Sequence, residues 1–305
     1  MLARWFADLS LLQSAGLSVY TGYLSAYYIE MPPSTLKSTK ANADLKERVR
    51  AFWQAHPCGT KFSDAEMGTR EFFERVEAHR YAKEWHIPEA ANFAAARGLR
   101  VLEIGCGLGT DGAQFALAGA NYIGVDLTEA SVELARKKFD LSGLRGEFRV
   151  ADAEKLDFAD DSIDLVYSHG VLHHTPDTAG AVREVHRVLR PDGQARVMLY
   201  HRGSAAYWGD IILRHGVLHG ELLKHSPEDI MSKYVEFNES GGRPLVKVYS
   251  RREARQLFSM FREVKVQVDQ LTRSDLFFLG RFIPEKVFQG LRRSVGWNVI
   301  ISARK

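Results

Sequence analysis

The chain is poor in cysteine. Cys58 and Cys106 are the only two in 305 residues. That excludes a disulfide framework as the source of stability, and a reducing cytoplasmic setting is expected. Charge of one sign is also scarce: the formal net charge is +3. The basic clusters Arg136–Lys138, Arg251 to Arg255 and Arg292–Arg293 are short and read as solvated helix faces or turns, so a nucleic-acid partner is not expected. Internal repeats and low-complexity tracts are missing, which argues against a solenoid or a disordered chain. Only Leu9–Ile29 runs long without a charge, and Gln13, Gly16, Gly22 and several serines interrupt it. Beyond Arg4 there is no basic leader region and no convincing cleavage site. The expectation there is a docking helix or an extension, with no stable membrane insertion.

What remains is ordinary globular material. With 45% hydrophobic and 26% charged residues, the chain can bury a sizeable core. Its length fits one large domain or a core with an added cap. Residues 31–45 read as a linker after Pro32 and Pro33, and residues 44–56 as a short helix ending at His56-Pro57. Helical spacing of Phe72, Phe73, Val76, Tyr81 and Trp85 predicts a helix over 69–96 with a break at Pro88.

Strict alternation follows. Strands are predicted at 100–105, 121–126, 147–152, 163–168 and 194–200. Helices are predicted between most of them, at 110–119, 128–143 and 178–190, with Thr128 and Ser131 as N-cap candidates and Pro191-Asp192-Gly193 as a turn. This order predicts an α/β fold: a Rossmann-like open, mostly parallel sheet with right-handed crossovers. Residues 204–237 look helical, 261–270 and 296–305 read as further strands, and 271–295 as an insertion around Pro284. The organisation expected is an N-terminal extension and linker (1–45), a helical cap (46–98) and a core (99–305) with a helical insertion at about 204–245.

Residues 101–112, VLEIGCGLGTDG, hold four glycines within eight positions. Two frames compete. Gly107, Gly109 and Gly112 fit the G-x-G-x-x-G of dinucleotide sites, a weak signal alone. The frame Glu103-x-Gly105-x-Gly107-x-Gly109 instead starts the turn where the strand ends. Asp126 then ends the second strand, where a carboxylate can accept both hydroxyls of a ribose, and Asp152 ends the third, suited to an adenine amino group. Three acids at successive strand ends suit a ligand with a positive centre and no pyrophosphate.

Taken together, VLEIGCGLGT, GVD, VADAEKLDFADDSIDLVYSHGVLHHTPD and EVHRVLRPDGQARVMLY resemble the class I S-adenosylmethionine-dependent methyltransferase family, in its type 11-like, small-molecule branch. The resemblance covers about residues 98–202. It implies S-adenosyl-L-methionine as cofactor, and a reversed last strand at 296–305, plus helical cap elements. It assigns Glu103, Gly105, Cys106, Gly107 and Gly109 to the cofactor loop, Asp126 to the ribose, Leu127 beside the adenine, and Asp152 with Ala153 to the adenine edge. Ser168 and His169 would lie near the methionine part.

Methyl transfer needs a base only when the acceptor carries a proton of high pKa. His174 and His173, after the fourth strand, are the candidates for that base. Tyr81, His201, Arg202 and Tyr207 are candidates for acceptor contacts; Arg80 and Tyr81 are adjacent, and either could point inward. His169, His173 and Asp177 would share a face only if that stretch were helical, so no metal is expected. The function expected is methyl transfer to an O, N or C atom of a small molecule, such as a secondary-metabolite or quinone-like acceptor. An NAD(P)-dependent oxidoreductase and a non-catalytic cofactor-binding scaffold stand as alternatives, and a homodimer stays open.

Overall fold

A computed structural model describes residues 39–235 and 245–305 of the chain. The chain divides into two units, residues 1–43 and 44–305. Of the first, only residues 39–43 are described, as the start of helix α1 (Thr39–Ala55). The uncharged run Leu9–Ile29 and most of the predicted linker lie outside the described residues. The end of that predicted linker is corrected: residues 39–45 are helical. After Pro33 the sequence has no further proline and no glycine until Pro57 and Gly59, and Lys40-Ala41, Ala43 and Leu45-Lys46-Glu47 favour helix.

The second unit holds one seven-stranded sheet in the order β3-β2-β1-β4-β5-β7-β6. Its strands are β1 (Arg100–Ile104), β2 (Asn121–Asp126), β3 (Glu147–Val150), β4 (Ile163–His169), β5 (Leu189–Tyr200), β6 (Glu263–Asp269) and β7 (Asn298–Arg304). β1 to β5 pair in parallel, and β7 runs antiparallel between β5 and β6, as expected of a reversed last strand. Helices α4 (Thr110–Leu117), α5 (Glu129–Ser142) and α6 (Thr178–Val188) make the crossovers. Thr128 caps α5 by accepting from the Ser131 amide, and Gly143, at φ 64°, ends it.

Strand alternation sorts the core to the two faces of the sheet. Leu102, Ile104 and Val166 pack with Val182 and Val185 of α6 and with Phe258. Val101, Leu165 and Tyr167 pack with Phe115 of α4 and Phe139 of α5.

Local expectations shift in three places. The predicted helix over 69–96 is α2 (Arg70–Lys83), α3 (Ile87–Ala91) and a 3₁₀ turn; Pro88 sits in the first turn of α3, where it starts a helix rather than breaking one. The predicted turn at 191–193 lies inside β5: the register to β4 shifts there, and Asp192 takes φ 65°, so the chain bulges and rejoins the ladder. β3 ends at Val150, before Asp152, whose Oδ1 accepts the Glu154 amide at 2.9 Å and turns the chain.

After β5 come a π-helix (Tyr207–Leu218), α7 (Pro227–Tyr234) and α8 (Arg251–Leu257). A 3₁₀ segment (Arg273–Phe282) and α9 (Glu285–Val295) stand between β6 and β7. Among the described residues no helix is long and apolar enough to cross a membrane.

Candidate functional site

The carboxyl ends of β1 and β4 adjoin at the point where the strand order reverses, the position where open α/β sheets leave a crevice. A cavity of about 660 Å³ opens there. Its floor is the turn from β1 into α4. Gly105 and Gly107 take φ 78° and 51°, conformations that side chains disfavour. Their reasons differ. A Cβ on Gly105 would meet Val171 at 2.2 Å, so that position is closed by packing. A Cβ on Gly107 would meet nothing within 4 Å. Gly107 is therefore bare backbone in the wall of an open space.

Asp126, at the end of β2, binds this turn. Its Oδ2 accepts the Gly107 amide at 3.1 Å, and its Oδ1 accepts the Thr128 amide at 3.1 Å and the Thr128 hydroxyl at 2.9 Å. Burial pushes the Asp126 carboxyl up, against these donors. Glu103 is also buried and accepts from the Tyr122 hydroxyl at 2.6 Å; burial, then the nearby Asp111, push it well above the carboxylate range. The Cys106 thiol is raised by burial, which makes it an apolar filler and not a nucleophile. Asp152 pairs with Lys46 of α1 at 2.6 Å, and the same Lys46 reaches Glu154 at 2.5 Å.

A second charged set lies on the opposite side of the turn. Arg80 of α2 holds Asp111 through Nη2–Oδ2 (2.6 Å) and Nε–Oδ1 (3.0 Å), and the Tyr81 and Tyr167 hydroxyls donate to the same carboxylate at 3.0 and 2.9 Å. Burial works against the Asp111 charge, and Arg80 outweighs it, holding the carboxyl below its usual range. Glu84 accepts from Arg80 at 3.2 Å and meets His169 Nε2 at 3.2 Å. It too is held low, since Arg80 and His169 outweigh its burial.

The residues singled out from the sequence separate cleanly once placed. Glu103, Gly105, Cys106, Gly107, Asp126, Leu127, Asp152, Ala153, His169 and His174 line the cavity. Gly109, at φ 73°, serves as the N-cap of α4 and is not in the wall. Ser168 is fully buried and donates to the Ile104 carbonyl at 3.0 Å. His173 is buried against the rings of His174 and Tyr200, with centroids 4.2 and 4.0 Å away, and is not in the wall.

The four residues expected to touch the acceptor are not in the wall either. Arg80 turns inward and Tyr81 turns to Asp111. His201 is buried with Nδ1 2.9 Å from the Gly296 carbonyl, because β5 ends by pairing to the turn before β7. Arg202 pairs with Glu253 at 3.0 Å. Tyr207 is buried in the cluster formed by Met198, Ile211, Ile230 and Val246.

Other residues enter the wall that spacing does not single out. Trp53, Met198, Tyr200, Tyr234 and Trp297 bring aromatic and apolar surface to it. His174 Nδ1 lies 2.6 Å from the Leu245 carbonyl, so in the neutral ring Nδ1–H donates and Nε2 is the acceptor nitrogen. Among the described residues no three His, Cys, Asp or Glu side chains are grouped to hold a metal ion.

Residues 102–197 match the family described as methyltransferase domain. The ubiquinone biosynthesis O-methyltransferase of Pseudomonas aeruginosa is 33% identical over 156 residues, which is 51% of this chain and 65% of that protein. The matched stretch is thus just under two thirds of that relative's length. The methyltransferase GfsG of Streptomyces halstedii is 38% identical over 103 residues, 33% of this chain and 37% of that protein. In fold, the crystal structure of the PH0226 protein from Pyrococcus horikoshii OT3 superposes with a TM-score of 0.51 at 18% identity, covering 84% of this chain and 98% of that one.

Over these stretches the chain is similar to methyltransferases, in line with the class I S-adenosylmethionine-dependent family that its motifs resemble. The cofactor of that family is S-adenosyl-L-methionine. The residues present fit it on two observations. Gly107 leaves an open cradle, and the carboxylates of Glu103 and Asp126 line the same cavity beside it, where a ligand with hydroxyl and ammonium donors can be held.

Proposed function

We propose that this protein transfers the methyl group of S-adenosylmethionine to an O, N or C atom of a small-molecule acceptor in the cytoplasm. The observation that carries the reading is one cavity that joins the bare Gly107 turn and Asp126 at one side to His169, His174 and an aromatic wall at the other. In this reading Asp126 accepts from the ribose, Asp152 and Ala153 meet the adenine edge, Leu127 packs beside the ring, and Glu103 faces the methionine part. The cofactor supplies a methyl already activated on a sulfonium, so orientation and exclusion of water do most of the work left to the protein.

Trp53, Met198, Tyr200 and Trp297 hold the acceptor on an apolar surface. Where the acceptor is a hydroxyl, His174 Nε2 takes its proton as the methyl arrives, with the ring fixed by the Leu245 carbonyl. His173 serves behind it as packing. The O-methyltransferase relatives make an oxygen acceptor, including a quinone-like phenol, the first to try. Incubating the protein with methyl-labelled S-adenosylmethionine and a cell extract tests this. Label should enter a small metabolite; label entering none, with cofactor bound, leaves only a binding scaffold.

A further inference from the structure

Two segments that help line the cavity also carry eight of the sixteen exposed large hydrophobic side chains among the described residues. In the 3₁₀ segment Arg273–Phe282, Phe277, Phe278, Leu279 and Phe282 are exposed, Phe278 at 68% and Phe282 at 67%. Phe277 has φ 51° and ψ −145°, so the chain leaves helical geometry just where the rings turn outward. A strained backbone that exposes aromatic rings is retained where the exposure is used. In the π-helix Tyr207–Leu218, Trp208, Leu213, Val217 and Leu218 are exposed, Leu218 at 71%. The two segments touch: a Cβ on Gly209 would meet the Phe277 ring at 2.8 Å.

The charges around this surface are not balanced. Asp210, Glu221 and Glu285 are each neutralised, by Arg214 (2.8 Å), Lys233 (2.7 Å) and Arg273 (2.8 Å), which leaves Asp275, accepting the Thr272 amide at 2.7 Å, as the one carboxylate of the two segments unpaired among the described residues. Arg281, Lys286 and Arg293 have no carboxylate partner among the described residues. Arg281 lies over the Phe282 ring, 4.6 Å from its centroid, which puts a cation and an aromatic ring at one level. Phenylalanine and leucine beside uncompensated arginine and lysine suit the boundary between acyl chains and anionic headgroups. A second copy of this chain would bring the same cations against them.

We infer that the face formed by Arg273–Phe282, the exposed side of Tyr207–Leu218 and the Lys286–Arg293 side of α9 docks on an anionic lipid surface. Phe277, Phe278 and Phe282 enter the headgroup boundary, and Arg281, Lys286 and Arg293 meet the phosphates. Ile211 of one segment and Thr272 and Ser274 beside or within the other line the cavity, so docking brings the lipid surface to the acceptor site. An acceptor with an apolar chain then reaches the site without passing through water; that last step rests on the methyl-transfer reading.

The test is flotation of the full-length protein with phosphatidylcholine vesicles, with and without about 30% phosphatidylglycerol. The protein should float with the anionic vesicles, and 0.5 M salt should weaken this about tenfold or more. Phe278→Ser with Phe282→Ser should abolish flotation, and Arg281→Ala with Lys286→Ala should lower it about tenfold, both with unchanged circular dichroism and unchanged S-adenosylmethionine affinity. No flotation of the wild type overturns the inference. So does equal flotation of the double phenylalanine variant, which places the attachment elsewhere in the chain. Sedimentation showing a dimer that the phenylalanine variant dissociates also overturns it, since a second copy then covers the face. Because vesicle binding is read without turnover, its failure is distinct from a failure of methyl transfer.

Discussion

Arg80 grips Asp111 through two bonds, Nη2 to Oδ2 at 2.6 Å and Nε to Oδ1 at 3.0 Å, joining α2 to the first turn of α4. The Asp111 side chain is 1% exposed. Without the guanidinium its charge would be buried and uncompensated. Arg80→Met should therefore destabilise the protein by about 3–5 kcal/mol. Urea denaturation monitored by circular dichroism checks this. A loss under about 1 kcal/mol would mean that the Tyr81 and Tyr167 hydroxyls suffice.

Gly105 and Gly107 should respond differently to substitution. Gly105→Ala forces a Cβ against Val171 and should lower the melting temperature. Gly107→Val meets no neighbour but is strained at φ 51°, so it should lose some stability, stay folded and no longer bind cofactor. Thermal melts paired with cofactor titration separate the two. Normal binding by a folded Gly107→Val protein would put the cofactor elsewhere.

His174→Gln should reduce turnover of a hydroxyl acceptor by about 10²-fold with cofactor affinity retained, as for a lost general base. His173→Gln should act mainly on stability, because His173 is packed behind the wall against Tyr200. Single-turnover rates and melts on both variants check the division. Equal turnover in the wild type and His174→Gln would leave catalysis to positioning alone.

His86 gives a pH signature. Burial, then the neighbouring His169, lower its pKa from 6.5 to about 4, and its Nε2 lies 3.0 Å from Asn298 Nδ2 as a neutral acceptor. The folded-state value is depressed, so the unfolded chain binds the proton first as pH falls. Stability from this group is full above about pH 6.5 and is lost between there and pH 4, by an amount on the order of 3 kcal/mol. Denaturation at pH 7 and pH 4.5 should show a drop that His86→Gln reduces. An identical drop in the variant would assign it to other groups.

Much of this site is legible in the sequence because its parts are local. The turn after β1, the acid closing β2 and the acid two residues past the end of β3 each sit at or just past the end of a predicted strand, so position alone points to Gly107, Asp126 and Asp152. Arg80, Glu84 and Asp111 are not legible as a set. Thirty-one residues separate Arg80 from Asp111, and Asp111 reads locally as an acid favouring a helix start. His173 and His174 cannot be told apart in one dimension: they fall in one 3₁₀ turn, where adjacent side chains face different ways. His201 and Arg202 follow the end of β5 but are drawn away from the cavity by β7 and Glu253, partners nearly a hundred and about fifty residues on.

Asp126 carries the cofactor claim beyond the fold. Asp126→Ala should cost about 2–4 kcal/mol of cofactor binding through lost charged hydrogen bonds, with a smaller loss of stability from the Gly107 and Thr128 amides it now holds. Unchanged affinity would restrict Asp126 to holding the turn.

Isothermal titration of the full-length wild type with S-adenosylmethionine, its demethylated product and NAD⁺ is the most direct test. The Gly107 cradle and the Glu103 and Asp126 carboxylates that line the cavity predict one site for the first two ligands and no heat from NAD⁺. Binding of NAD⁺ with none of S-adenosylmethionine would contradict the assignment of the cavity and restore the dinucleotide frame of Gly107, Gly109 and Gly112.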